Sequence, residues 1–202
     1  LGFDTTDATL VAGLYDLAAA KVILLKTWNL GRQLATDLHP CLDTLMAGHP
    51  WTDLGAIAVG CGPGSFTGTR LGVVTARTLA QQLAVPLLGL SSLGVMAWHH
   101  RHCLSAMDGV VSRPAQQGHQ YLGIYRYQEN RLRAVWGDRL VRDSEAAEQL
   151  ATWSEPYCLL SAPPPEDYGL ALLTWAAQQW QDTLRSGDTP PHWSSVVPLY
   201  GK

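Results

Sequence analysis

Little in this 202-residue chain equips it to work alone on nucleic acid, metal or membrane. No Lys/Arg run exceeds two residues and the formal net charge is −3. The basic stripe with which a protein grips RNA unaided is therefore missing. No Cys-x-x-Cys joins any two of the four scattered cysteines, Cys41, Cys61, Cys103 and Cys158, which argues against a zinc ribbon. Reduced thiols in a cytosolic protein are the simplest reading. Neither His-x-x-x-His nor His-Glu-x-x-His occurs, so the helix of a metallopeptidase is absent. The stretch Leu10 to Leu25 is rather apolar, but Asp16 and Lys21 interrupt it, and it is too short and too charged to span a bilayer. There is no low-complexity linker and no short repeat. The first residue is Leu rather than Met, so a few residues are expected to precede it; no signal peptide is seen in the sequence.

What the chain does have is concentrated at residues 60–72, Gly-Cys-Gly-Pro-Gly-Ser-Phe-Thr-Gly-Thr-Arg-Leu-Gly, where five glycines and a proline fall in thirteen residues. A β-type run from Ala56 to Val59 leads in, and a helical pattern over 67–84 leads out. A strand turning sharply into a helix needs backbone angles that glycine allows, or room for something to approach the main chain. The helix start offers free N–H groups and suits an anion. Asp4, Gly62, Gly64, Ser65 and Thr67 are thus candidate phosphate-loop residues. The loop is not a Walker A loop, since no Lys-Ser/Thr follows its last glycine, and Ser65 lacks the Gly-x-Ser-x-Gly of a nucleophile elbow. A plain strand-to-helix turn with Ser65 or Thr67 as N-cap fits the spacing as well.

Around this loop the order of elements is regular. A strand ends at Asp4; Thr9–Tyr15 returns antiparallel and Lys21–Thr27 follows. Apolar residues Leu34, Leu38, Cys41, Leu42, Leu45 and Met46 recur at helical spacing over 32–47, with a kink expected at Pro40 and Gly48 at the end. Strand 56–60, helix 67–84 and strand 86–90 complete a first lobe. Strands at 110–113, 121–127 and 131–141, a short helix at 144–151, a stiff loop at 161–167 and a helix at 168–184 make a second. The expected lobes are residues 1–104 and 105–202. Three strands, helix, strand, helix, strand is the plan of the actin/Hsp70/sugar-kinase superfold, α/β with mixed sheets.

Gly-Pro-Gly-Ser-Phe-Thr-Gly-x-Arg-x-Gly resembles the hallmark of the TsaB (YeaZ) family, the bacterial partner of TsaD in making threonylcarbamoyladenosine on tRNA. Asp4-Thr5-Thr6 is similar to the family's opening Asp-Thr-Ser/Thr. Val85 to Leu93 resembles its Pro-Leu-x-Gly-Val-Ser-Ser-Leu, and Pro198-Leu199-Tyr200 its terminal Pro-x-Tyr. The resemblance implies the superfold without a working nucleotide cleft, and no cofactor. It implies a cytoplasmic, non-catalytic scaffold that docks and activates a TsaD-like subunit alongside a TsaE-like ATPase. Such a chain is expected to form a homodimer when alone and to bind no tRNA strongly itself. The other reading is a stand-alone nucleotide hydrolase or peptidase, which the old "glycoprotease-like" label for the family implies. TsaD resembles a relative carrying a His-x-x-x-His metal pair after the corresponding Pro-Leu strand. Here Ser92 and Met96 stand in that segment. Asp4 remains the one plausible acid, with an Asx-turn as its alternative role. His99, His100, His102 and Cys103 read as a solvated helix end with Arg101 in its middle, and no metal is expected. The family's Asp-Ala-Arg-x-Gly-Glu-Val-Tyr is replaced by Pro114-Ala115-Gln116-Gln117-Gly118-His119-Gln120-Tyr121, which removes three charged groups.

The helix over 67–84 repeats small residues, Gly68, Gly72, Ala76 and Ala80, every four positions. With Leu71, Val73, Leu79 and Leu83, its apolar arc spans roughly 200° at about 100° per residue. Packing on one sheet needs a stripe of only about 100°. The surplus predicts a partner surface at Leu38, Cys41, Leu45, Gly72, Val73, Ala76, Arg77 and Ala80, unless the helix is sandwiched within its own domain.

Overall fold

The computed structural model describes residues 1–200 and contains two mixed sheets. The first is built from β1 (Gly2–Asp4), β2 (Thr9–Asp16), β3 (Lys21–Asn29), β4 (Ile57–Gly60) and β5 (Leu87–Leu90), in the order β3-β2-β1-β4-β5. β1, β2 and β3 form an antiparallel meander, and β4 and β5 add in parallel on the far side of β1. The parallel strands arrive through helices α1 (Leu34–Met46) and α2 (Phe66–Leu83), as a parallel connection requires. Helix α1 runs through Pro40 without interruption and stops before Gly48, at φ +83°. Helix α3 (Ser92–His99) then leads to the second sheet.

That sheet repeats the plan. β6 (Asp108–Pro114), β7 (His119–Gln128) and β8 (Arg131–Arg142) are an antiparallel meander; α4 (Asp143–Ala151) carries the chain back to β9 (Tyr157–Leu160), parallel to β6. The order is β8-β7-β6-β9. The β7–β8 turn is the two-residue loop Glu129-Asn130 with φ +53° and +59°, the geometry whose twist matches a hairpin. The last helix, α5 (Pro165–Ser186), returns to the first sheet.

Each strand side of the first sheet has its own helical cover, and alternate residues go to each. Phe3, Ile57 and Val59 pack with Leu38, Leu42, Leu45, Val73, Ala76 and Ala80 beneath α1 and α2. Ala58 and Leu88 pack with Leu172, Trp175 and Ala176 beneath α5. In the second sheet Val111 and Tyr125 meet Leu93 and Met96 of α3, while Val110, Leu122 and Ile124 meet Ala146 of α4.

Three differences from the sequence reading stand out. Helix α5 begins at Pro165, inside the stretch expected to be a stiff loop, because proline suits the first helical position and Glu166 and Asp167 favour the first turn. Strand β9 has no counterpart in the expected elements, and of helix α3 only the end near His99 was expected; both are short, and neither shows a clean period. Residues 165–200, expected with the second lobe, pack on the first sheet instead, with Val196 buried in its core.

Candidate functional site

The glycine-rich loop is held on every side by its own chain. Ser65 N–H donates to the Thr6 carbonyl at 2.7 Å, Ser92 N–H to the Gly62 carbonyl at 2.8 Å, and Ser92 Oγ to the Pro63 carbonyl at 3.1 Å. Leu199 N–H donates to the Cys61 carbonyl at 2.7 Å. Gly62 sits at φ +97°, and a Cβ there would stand 2.7 Å from the Leu199 carbonyl oxygen, so two things require glycine at once. Ser65 caps α2, its Oγ accepting from Gly68 N–H at 3.3 Å. The terminal Pro198-Leu199-Tyr200 thus lies on the signature loop, and the Tyr200 ring packs on Phe66 at 5.1 Å between centroids.

Of the candidate residues, Asp4 and Gly62 are buried in a packed junction and Gly64 lies against Thr6, while Ser65 and Thr67 are exposed at the start of α2. The Asp4 carboxylate is 3% exposed. Its Oδ1 accepts from Thr6 N–H at 2.6 Å, the expected Asx geometry, and its Oδ2 from the Tyr168 hydroxyl at 2.6 Å. Burial, then the Asp4 charge, pushes the Tyr168 phenol well above its ordinary range, so it remains a donor. Gly60 is forced to be glycine by the same carboxylate, which occupies the place a Cβ would take. An Asp7–Arg113 ion pair and an Arg113 guanidinium bond to the Pro63 carbonyl, 3.4 Å, tie this junction to the second sheet. Nothing in the sequence marked Tyr168 as the partner of Asp4; the two are 164 positions apart.

Two further polar clusters stand on the second sheet. Asp138 accepts from the hydroxyls of Ser91 and Tyr125, and burial raises its carboxyl. Asp108, on β6, takes two bonds from Arg126 at 2.7 and 2.8 Å and one from Trp153 Nε1 at 3.0 Å. Those bonds hold its carboxyl below the usual carboxylate range despite burial. No group of three or more His, Cys, Asp or Glu among the described residues is placed to hold a metal ion. His100 Nε2 lies 2.9 Å from the Ser161 carbonyl. The 114–121 segment that departs from the family pattern is the β6–β7 turn, with Gln117 and Gly118 both at positive φ and Gln120 donating to Asp143.

The surface expected from the small-residue ridge faces inward. Leu38, Leu45, Ala76 and Ala80 are 0% exposed, Val73 is 1% and Cys41 8% exposed. Gly72 is also buried, and Arg77 stacks over Trp193 of the C-terminal segment. The physical reason is the turn after β1: Thr5 is wedged against α2, its Oγ1 donating to the Gly68 carbonyl at 2.8 Å. A Cβ on Gly68 or Gly72 would collide with Thr5. The ridge lets the helix approach its own sheet. The opposite face of α2 is Phe66, Arg70, Val74 and Thr78, one row at four-residue spacing. Phe66 is 58% and Val74 59% exposed, and Val197, Leu199 and Tyr200 are exposed apolar neighbours in sequence or contact with this row's start. Arg70 lies over the Phe66 ring at 5.2 Å. No helix of the described residues is long and apolar enough to cross a membrane.

The two mixed sheets and the junction between them define an α/β protein of the TsaD-like class. A family model described as "TsaD: tRNA N6-adenosine threonylcarbamoyltransferase" matches residues 30–155. Within that class, the chain belongs to the TsaB (YeaZ) family, proteins of tRNA threonylcarbamoyladenosine biosynthesis. It is 34% identical over 165 residues to the Bacillus subtilis tRNA threonylcarbamoyladenosine biosynthesis protein TsaB, covering 79% of this chain and 69% of that one. It is 37% identical over 90 residues to the Escherichia coli TsaB, covering 45% of this chain and 38% of that one. The solved YeaZ of Pseudomonas aeruginosa superposes with a TM-score of 0.74 at 22% identity, covering 98% of this chain and 97% of that one. That last likeness is one of fold.

Proposed function

We propose that this chain is a non-catalytic subunit of the cytosolic machinery that places threonylcarbamoyl on tRNA adenosine, and that it supports a TsaD-like catalytic subunit by docking to it. The observation that carries this reading is the sealed state of Asp4. Both carboxylate oxygens are already engaged, by Thr6 N–H and Tyr168 O–H, at a place 3% exposed. A carboxylate that handled phosphate or a metal would need to face an open cleft. The docking surface in this reading is the outward row Phe66, Arg70, Val74 with Leu199 and Tyr200, and a second copy of the chain competes for it when the partner is absent. A patch of exposed aromatic and aliphatic side chains with one arginine suits a protein interface.

The test is reconstitution. The purified chain alone should neither hydrolyse ATP nor cleave peptides. Added to a TsaD-like subunit, a TsaE-like ATPase, tRNA and the threonylcarbamoyl donor, it should raise the rate of modified adenosine formation. ATP hydrolysis by the chain alone that vanishes in a folded Asp4→Asn variant would establish the enzyme reading instead.

A further inference from the structure

Cys103 and Cys158, far apart in sequence, lie on neighbouring segments at the β9 edge of the second sheet. Cys158 is on β9, its Cα paired with Gly109 of β6. Paired residues share a face of the sheet and the face alternates along the strand. Cys158 and Leu160 are therefore on the side of Gly109 and Val111, where Leu160 packs with Leu93, Met96 and Ala97 of α3. Beyond α3 the chain makes a single 3-10 turn, Arg101–Cys103, and Leu104 then closes onto Gly109. The Leu104 methyls stand 2.9 Å from the point a Gly109 Cβ would occupy. On the other side of the turn, His100 Nε2 meets the carbonyl of Ser161, the residue just after β9. The turn is pinned over β9 at both ends, and Cys103 is one residue from a side chain seated on the register partner of Cys158. Burial, and then the neighbouring Cys103, raises the Cys158 thiol. Cys103 is exposed and Cys158 half-buried, whereas Cys41 and Cys61 are buried in the first sheet's core.

We propose that Cys103 and Cys158 are a redox pair that a peroxide closes to a disulfide, tying the turn after α3 to the edge strand β9. The exposed Cys103 reacts first. Its sulfur attacks one peroxide oxygen, the O–O bond breaks, and a sulfenic acid and one water form. The Cys158 sulfur then attacks the sulfenic sulfur; the S–S bond forms, the S–O bond breaks, and the oxygen leaves as water with the Cys158 proton. Two thiols and one hydrogen peroxide thus give a disulfide and two waters, and a dithiol reductant reverses the change. The pair sits where the chain passes from the first sheet to the second and where β9 leads toward α5. Closing it fixes that passage without touching the face of α2.

The test is mapping of the intact, folded protein after titration with hydrogen peroxide. Alkylation of free thiols, digestion without reductant and mass spectrometry should show a linked Cys103–Cys158 peptide. Two of the four thiols should be lost and should return with dithiothreitol. In Cys158→Ser, checked for fold by circular dichroism, Cys103 should run on to sulfinic acid, because the resolving thiol is gone. The proposal is overturned if wild-type Cys103 reaches sulfinic acid as readily as in Cys158→Ser, if no thiol is lost, or if Cys103 links to another cysteine.

Discussion

Gly72→Ala on α2 gives opposite signs for the two roles the small-residue ridge could have. In an outward-facing helix interior, glycine to alanine stabilises by about 1 kcal/mol through helix propensity. In this structure the new Cβ falls on Thr5 Oγ1 and stands 3.4 Å from Thr5 Cβ, and Gly72 is buried. Thr5 cannot swing away freely, since its hydroxyl is bonded to the Gly68 carbonyl at 2.8 Å and it is 0% exposed. Either α2 lifts from β1 or the hydroxyl loses its bond. Overpacking costs about 1–3 kcal/mol, and a buried hydroxyl left without its partner costs about 1–3 kcal/mol more. Against a gain of about 1 kcal/mol, the net expectation is a loss of roughly 1–5 kcal/mol. Urea unfolding followed by circular dichroism measures it, and for a chain of this length each kcal/mol lowers Tm by about 2–4 °C. An increase in stability would refute the inward packing of the ridge and return it to an outside partner.

Further outcomes follow from the same contacts. Asp4→Asn and Tyr168→Phe, singly and together, should show a coupling of about 1.5–3 kcal/mol in a denaturation cycle, since a hydroxyl bonded to a buried carboxylate is at stake; zero coupling would deny the bond. Ala84, which ends α2 at φ +53° and ψ +38°, should become more favourable as glycine, with Ala84→Gly stabilising by about 0.5–1 kcal/mol. Asp108 has its carboxyl lowered by Arg126, so its contribution is complete above the unfolded-state value near 3.8 and is lost as pH falls toward the folded one. Acid unfolding of Asp108→Asn should therefore be flatter below about pH 4 than that of the unaltered chain; parallel curves would contradict it.

How much of this was legible beforehand differs by element. The antiparallel return of β2, α1 and α2 are readable because each is long or strongly periodic, and the α1 stop at Gly48 carries its own signal. The start of α5 was hidden by Pro163-Pro164-Pro165, which reads as a loop until the third proline is placed at the first helical position. The spacing of the signature loop marks a strand-to-helix turn with Ser65 as a candidate cap, and Ser65 caps α2. What it touches was not visible, because Thr6, Ser92, Leu199 and Arg113 reach it from four separate parts of the chain. The small-residue ridge shows the limit most clearly. Glycine and alanine at four-residue spacing state that something comes close, and only the position of Thr5 tells what it is. A cue to the outward row was present: Phe66 and Val74 are apolar residues outside the ridge, one turn apart from Arg70 on either side.

The measurement that bears most directly on the accessory-subunit reading is the rate of threonylcarbamoyladenosine formation in the reconstituted system, with two folded variants compared side by side. Val74→Arg places a charge on the exposed row, 59% accessible, and should leave the fold intact while lowering both association with the TsaD-like subunit and the rate, by tenfold or more on the order of 1.4 kcal/mol. Asp4→Asn, if folded at the assay temperature, should support the rate of the unaltered chain. The opposite pattern, full activity with Val74→Arg and none with folded Asp4→Asn, would contradict a docking role and place the chemistry in this chain.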